Sequence, residues 1–119
     1  MKCVKGPTVP VDVDKTLVIR VYEDDPRWEK AIKVSYYGIP ARVIAMEANV
    51  ELLIACVKRG RNVVVWSGNG MPWAKEILTK LGLSKLSLFV MDKPIGYIDD
   101  LEAEKWIGQR VHFPEGVRQ

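Results

Sequence analysis

Asp12 and Asp14 stand two apart at the end of an apolar approach, Val9-Pro10-Val11, and are followed by the hydroxyl of Thr16 and a second apolar run from Leu17. If Val9 to Val11 end a buried strand, both carboxylates emerge at its carboxyl end, the edge where open α/β sheets bind ligands. Two carboxylates side by side repel unless a cation joins them, and hard oxygen donors suit Mg²⁺. The first carboxylate can then attack a phosphoryl group while the second manages a proton. Taken alone, the same stretch also reads as a strand and an acidic turn capped by Asp14.

Three further places carry complementary groups. Ser67 follows Asn62-Val63-Val64-Val65-Trp66, Lys93 follows Leu86 to Met91, and the adjacent pair Asp99-Asp100 follows Ile95-Gly96-Tyr97-Ile98. Each preceding run reads as a strand, and in a parallel sheet all carboxyl ends share one edge. A hydroxyl and an ammonium stabilise the negative oxygens of a phosphoryl group in flight. The lysine also offsets repulsion among four carboxylates, and the carboxylates supply what Mg²⁺ requires.

The intervening sequence supplies elements to position these groups. Leu17 to Glu23, Ala31 to Tyr37 and Ala41 to Ala45 are strand-like runs broken by Asp24-Asp25-Pro26 and Gly38-Ile39-Pro40. They predict an antiparallel flap over residues 17–46, inserted directly after the carboxylate loop. Helix 49–59 follows, with Asn49 as N-cap, Val50, Leu53, Ile54 and Val57 on one face, and Gly60 as the stop. The continuous apolar run at 62–66 predicts a strand covered on both faces. Ser67-Gly68-Asn69-Gly70 opens a second helix, with Pro72 in its first turn, Trp73, Ile77 and Leu81 on one face, and Gly82 as its stop. Leu101 to Ile107 suits two helical turns, and Val111-His112-Phe113 a closing strand. Strands alternating with helices predict an α/β fold, a three-layer Rossmann-like and mainly parallel sheet, in one domain over residues 1–119.

The ordered set resembles the haloacid dehalogenase-like (HAD) superfamily of phosphatases and phosphotransferases. Asp12-Val13-Asp14-Lys15-Thr16 is similar to its first motif, D-x-D-x-T. Ser67 is similar to the second-motif Ser or Thr, Lys93 before Pro94 to the third-motif lysine, and Tyr97-Ile98-Asp99-Asp100 to the fourth. The resemblance implies Asp12 as nucleophile and Asp14 as general acid/base, with Ser67 and Lys93 on the phosphate. It also implies Mg²⁺ held by Asp12, the Asp14 main-chain carbonyl, Asp99 and Asp100. The chain departs from the pattern at Lys15, where Gly is common, a variation the backbone is expected to tolerate. Pro10 departs from it too, since a central strand should donate a hydrogen bond there; a bulge or an unpaired amide is expected. No large cap is present. Receiver domains of response regulators share the length, paired acids and a Lys-Pro, but their paired acids come first; here Asp99-Asp100 come after Lys93-Pro94.

The resemblance implies a Mg²⁺-dependent phosphohydrolase working through an aspartyl-phosphate, on a phosphorylated small molecule or a nucleic-acid end. The rival reading is a catalytically silent module of the same scaffold that binds a phosphorylated ligand or protein. Specificity is expected from Arg20, Tyr36, Tyr37 and Arg42 in the flap, which read equally as an ordinary exposed face. A large substrate or a second copy of the chain, in a homo-oligomer, would have to roof the site. His112 reads as structural, Trp66 and Trp73 as core, and Trp28 and Trp106 as core or contact surface.

The totals agree with a globular chain: 119 residues, 48% hydrophobic, 28% charged, net charge +3. That mild charge permits an anionic substrate without requiring nucleic acid. Cys3 and Cys56 show no metal-ligand spacing. No signal peptide and no membrane span are read, so a cytoplasmic protein is expected.

Overall fold

The computed structural model describes residues 8–107. Two three-stranded sheets and two helices form its frame. β1 (Thr8–Asp12), β5 (Asn62–Ser67) and β6 (Leu88–Asp92) make a parallel sheet in the order β1-β5-β6. β2 (Val18–Val21), β3 (Ile32–Tyr36) and β4 (Ile39–Ala45) make an antiparallel sheet with β4 in the middle. α1 (Glu47–Lys58) leads from β4 into β5, and α2 (Met71–Lys80) joins β5 to β6.

β-Branched residues pack well on a pleated surface, and β5 carries three valines in a row. Their burial alternates: Val63 and Val65 are buried, Val64 and Trp66 only half-buried. The parallel register aligns Val11, Val65 and Val90 on one face and Pro10, Val64 and Phe89 on the other. The first set joins the core; the second does not, and Phe89 is 64% exposed. A sheet that advances β1 to β5 to β6 with right-handed crossovers places both helices on one face. The described residues therefore cover the parallel sheet on one side, where the sequence predicted cover on both and three layers.

The reason lies in the segment after β6. Ile95 to Ile98 does not form a strand: Ile95 and Ile98 are fully exposed, and no strand pairs with them among the described residues. Apolar and β-branched residues favour a strand only where a neighbour takes the backbone groups and another layer takes the side chains. Leu101 to Ile107 likewise gives one 3-10 turn, Ala103–Lys105, instead of two helical turns. The closing strand at Val111 to Phe113, His112 and Cys3 lie outside the described residues.

Pro10 needs no bulge. Its strand runs in unbroken register from Thr8 opposite Asn62 to Asp12 opposite Trp66, and β1 has a strand on one side only among the described residues. A proline is tolerated on such an edge, because no neighbour there awaits its missing N–H.

The antiparallel sheet is no loose flap. Its inner residues Val18, Val34, Ala41 and Val43 belong to the same core as Leu53, Val63, Val65, Trp73 and Ile77. β3 and β4 meet at Tyr37-Gly38, both at positive φ (50° and 86°), as a two-residue hairpin turn requires. The Ser35 amide then donates to the Glu76 carboxylate on α2 at 2.8 Å.

α1 begins two residues before the expected cap. Met46 precedes it without a side-chain cap, and Asn49 lies in its first turn, buried at 4% exposure. Its amide donates to the Thr16 carbonyl at 2.8 Å, so it ties the helix to the Asp12–Thr16 loop instead of closing the helix end. α2 keeps Pro72 in its first turn and buries Trp73, Ala74, Ile77 and Leu78; Leu81 lies just past its end. No helix among the described residues is long and apolar enough to cross a membrane.

Candidate active site

Three strands end at one edge of the parallel sheet. Asp12 closes β1, Ser67 closes β5, and Lys93 follows the last residue of β6. The Lys93 amide donates to the Ser67 carbonyl at 3.0 Å, which stitches the ends of β5 and β6 together. Its ammonium reaches across to Asp12, with Nζ 3.6 Å from Oδ1. Their side chains are 47% and 32% exposed, so the pair contributes no more than about 1 kcal/mol to folding. Its main effect is to set a positive charge beside a solvent-accessible carboxylate. Thr16 approaches the other oxygen, Oγ1 standing 3.5 Å from Asp12 Oδ2.

The loop beyond Asp12 is tight. Val13 is buried, and its carbonyl accepts from the amides of Thr16, Leu17 and Val18 at 2.8 to 3.2 Å. To close that turn, Lys15 takes φ +63°, the left-handed region. The backbone was expected to tolerate variation at this position; instead it lies in the region that favours glycine and strains a lysine.

Asp14 is held by different partners from those of Asp12. Its Oδ2 accepts from Asn69 Nδ2 at 2.8 Å. The Trp73 indole N–H faces both oxygens, at 3.1 and 3.2 Å. These N–H donors orient a side chain that would otherwise sweep through solvent. Neither Asn69 nor this use of Trp73 was read from the sequence. Trp73 is core, at 2% exposure, but a buried indole N–H needs an acceptor, and that requirement was the available signal. For Asn69 the signal was a polar side chain in the loop directly after a strand end.

Ser67 is buried at 1% exposure, and its Oγ accepts from the Asn69 amide at 2.9 Å. Its hydroxyl thus holds the turn that carries Asn69 and retains a proton to donate. The Asp92 carboxylate takes the N-terminal amide of α2, with Met71 N at 2.6 Å, and so occupies that end of the helix.

Asp99 and Asp100 are not brought into this group. They sit on the exposed segment after β6, where the Leu101 amide donates to Asp99 at 2.9 Å. That bond, then one involving Asp100, holds the Asp99 carboxyl below the usual carboxylate range. Among the described residues no three His, Cys, Asp or Glu side chains stand together as a metal site. Asp12 offers a part-exposed carboxylate that suits Mg²⁺ as one ligand, and the cation beside it in the structure is Lys93.

The four flap residues divide. Tyr36 and Tyr37 reach the site: their hydroxyls donate to Asn69 Oδ1 at 3.2 Å and to Asn69 O at 2.6 Å. Arg20 lies over the Tyr36 ring at 5.3 Å and over the Tyr22 ring at 5.8 Å, a stripe of one cation between two rings. Arg42 is elsewhere. It stacks on Trp28 at 4.4 Å and donates to the Trp28 carbonyl at 2.8 Å. Trp66 and Trp28 are half-buried, and Trp106 is exposed beside Tyr97.

Comparison with known proteins gave no match among family models, curated proteins or solved structures. The reading of the site therefore rests on its own geometry and on the motifs.

Proposed function

We propose that the chain is a phosphomonoesterase of the HAD type that works through an aspartyl-phosphate on Asp12. The observation that carries this reading is the pairing of Asp12 with Lys93 at the shared edge of β1 and β6, next to a second oriented carboxylate. A surface pair of this kind adds little stability, whereas a nucleophile next to a cation suits an incoming phosphate dianion.

In the proposed reaction an Asp12 carboxylate oxygen attacks phosphorus in line with the ester oxygen. The P–O bond to the leaving group breaks, and the leaving oxygen takes a proton from Asp14. Water then attacks the aspartyl-phosphate at phosphorus, its proton passes to Asp14, and Asp12 is released with inorganic phosphate. Lys93 balances charge on the phosphoryl oxygens. Ser67, once its turn admits the ligand, contributes a hydroxyl proton. The substrate is a phosphorylated small molecule or a nucleic-acid end.

Mg²⁺ belongs to this proposal: Asp12 would hold it, with Asp99 or Asp100 as further carboxylate ligands. Bound there, it would neutralise phosphate charge. A second reading is a silent module that binds a phosphorylated ligand or protein; it is favoured by the exposed placement of Asp99, whose bonds are to Leu101 and Asp100.

Phosphate release from para-nitrophenyl phosphate, with Mg²⁺ and with chelator, separates the two. Turnover that Asp12→Asn abolishes is the expected result. Binding of phosphate without turnover in any condition would leave the silent module standing.

A further inference from the structure

Both residues that hold Asp14 touch the same tyrosine. Tyr36 Oη donates to Asn69 Oδ1 at 3.2 Å, and the Tyr36 ring meets the Trp73 ring edge-on at 5.1 Å. Beyond them, Asn69 Nδ2 and Trp73 Nε1 converge on the Asp14 carboxylate. An amide side chain has one accepting and one donating end. With Tyr36 donating to the oxygen, the NH₂ must face Asp14. Without that hydroxyl only Asp14 itself selects the orientation of the amide, and the grip on both loosens. Tyr37 fixes the other end of the residue by donating to the Asn69 carbonyl, and Ser67 fixes its amide nitrogen.

We propose that Tyr36 and Asn69 are positioning residues, which set the Asp14 carboxylate from the antiparallel sheet through the chain Tyr36–Asn69–Asp14. This rests on the reading of Asp14 as the proton donor to the leaving group. Tyr36 is rooted in a sheet whose inner face belongs to the core, so the reference point is rigid, and Arg20 over its ring places a cation beside it. A leaving group lying on this stripe would touch the residue that orients its own proton donor. Leaving-group recognition and proton delivery are then one arrangement.

The test separates positioning from a general loss of structure. Tyr36→Phe removes one hydroxyl and keeps the ring against Trp73; Asn69→Ala removes the amide. An alkyl ester such as β-glycerophosphate needs a proton on its leaving oxygen, while para-nitrophenolate leaves without one. Misplacing a reacting group by about 1 Å can cost about 100-fold. Asn69→Ala is expected to lower kcat on β-glycerophosphate by roughly that factor, and Tyr36→Phe by about 10-fold, given the residual grip of Trp73. In the first turnover on para-nitrophenyl phosphate, whose leaving group needs no proton, release of para-nitrophenolate should fall much less than alcohol release from β-glycerophosphate. The later attack of water, which also uses Asp14, slows on both esters. Neither variant should add to the loss in Asp14→Asn. The Trp73 indole N–H resonance reports the carboxylate directly and should move in both variants. Equal first-turnover losses on the two esters, or an unmoved indole resonance, would overturn the proposal. If the wild-type protein turns over neither ester, the phosphatase reading falls. The indole resonance alone then decides whether Tyr36 and Asn69 set Asp14.

Discussion

Two stretches of this chain are written alike: an apolar run followed by two acids, once at Val9 to Asp14 and again at Ile95 to Asp100. They come to opposite ends. The first is a paired strand whose acids find named partners across 55 and more residues of sequence. The second is exposed throughout, and its acids bond only to their own neighbours. The difference lies in what surrounds each run. β1 has β5 beside it, and Val13 and Leu17 drop at once into a core shared by both sheets. Ile95 to Ile98 has neither a strand beside it nor a layer above it among the described residues. A motif assigns chemistry to residues, but only pairing and burial bring that chemistry to one place.

The largest effect should be catalytic and should fall on the first stretch alone. Asp12→Asn keeps size and removes the nucleophile, so phosphate release should drop to background, a loss of about 10³-fold or more, with the unfolding midpoint retained. Asp99→Ala should leave turnover at saturating Mg²⁺ within about tenfold and raise the Mg²⁺ concentration needed, if that segment joins the metal. Equal and complete loss in both would mean that the two stretches form one site in the working enzyme. Full activity in chelated wild-type protein would remove Mg²⁺ from the reading.

Stability should divide the same regions next. Ile77, with no exposed surface, should cost about 2–5 kcal/mol when cut to alanine. Ile98→Ala, at a fully exposed position, should change the unfolding free energy, read from urea titration, by less than about 0.5 kcal/mol. A large loss from Ile98→Ala would show that its run is packed after all.

A smaller effect tests the seat of the antiparallel sheet on the site. Gly70 has φ +103°, and a Cβ there would run into the Tyr37 hydroxyl. Gly82 has φ +77° and open space around it. Gly70→Ala should cost about 1–3 kcal/mol and weaken binding of the leaving group, while Gly82→Ala carries the backbone strain alone. Matching losses from the two, with unchanged KM, would mean that Tyr37 is free to yield.

Sequence patterns reached further into the frame than into the site. The strand-like runs from Leu17 to Ala45 and the turns that break them announced an antiparallel flap, and the valines of β5 and the spacing of α2 were plain. Asp12, Asp14, Ser67 and Lys93 were all marked by their places after apolar runs. What was hidden is how Asp14 is held, because Asn69 and Trp73 are remote in sequence and their roles exist only once β3 lies against α2. Asn49 misled for a related reason. A polar residue before an apolar face is a usual cap, yet here its amide answers the Thr16 carbonyl from inside the helix.

The smallest effect concerns Lys15, between the two acids and Thr16. Its left-handed backbone costs a residue with a Cβ about 1–2 kcal/mol. Glycine relieves that strain but gives back about 0.5–1 kcal/mol through the freedom it loses on folding. Lys15→Gly should therefore stabilise the protein by about 0.5–1 kcal/mol, a rise in Tm of a few degrees by thermal unfolding. The side chain is exposed and, among the described residues, the ammonium paired with Asp12 is that of Lys93, so activity should hold. Lys15→Ala separates charge from backbone, because it removes the ammonium and keeps the strain. If both substitutions slow phosphate release alike, the Lys15 ammonium serves the incoming phosphate alongside Lys93. If only Lys15→Ala leaves stability unchanged and both retain activity, the lysine is a surface residue placed on a backbone site better suited to glycine.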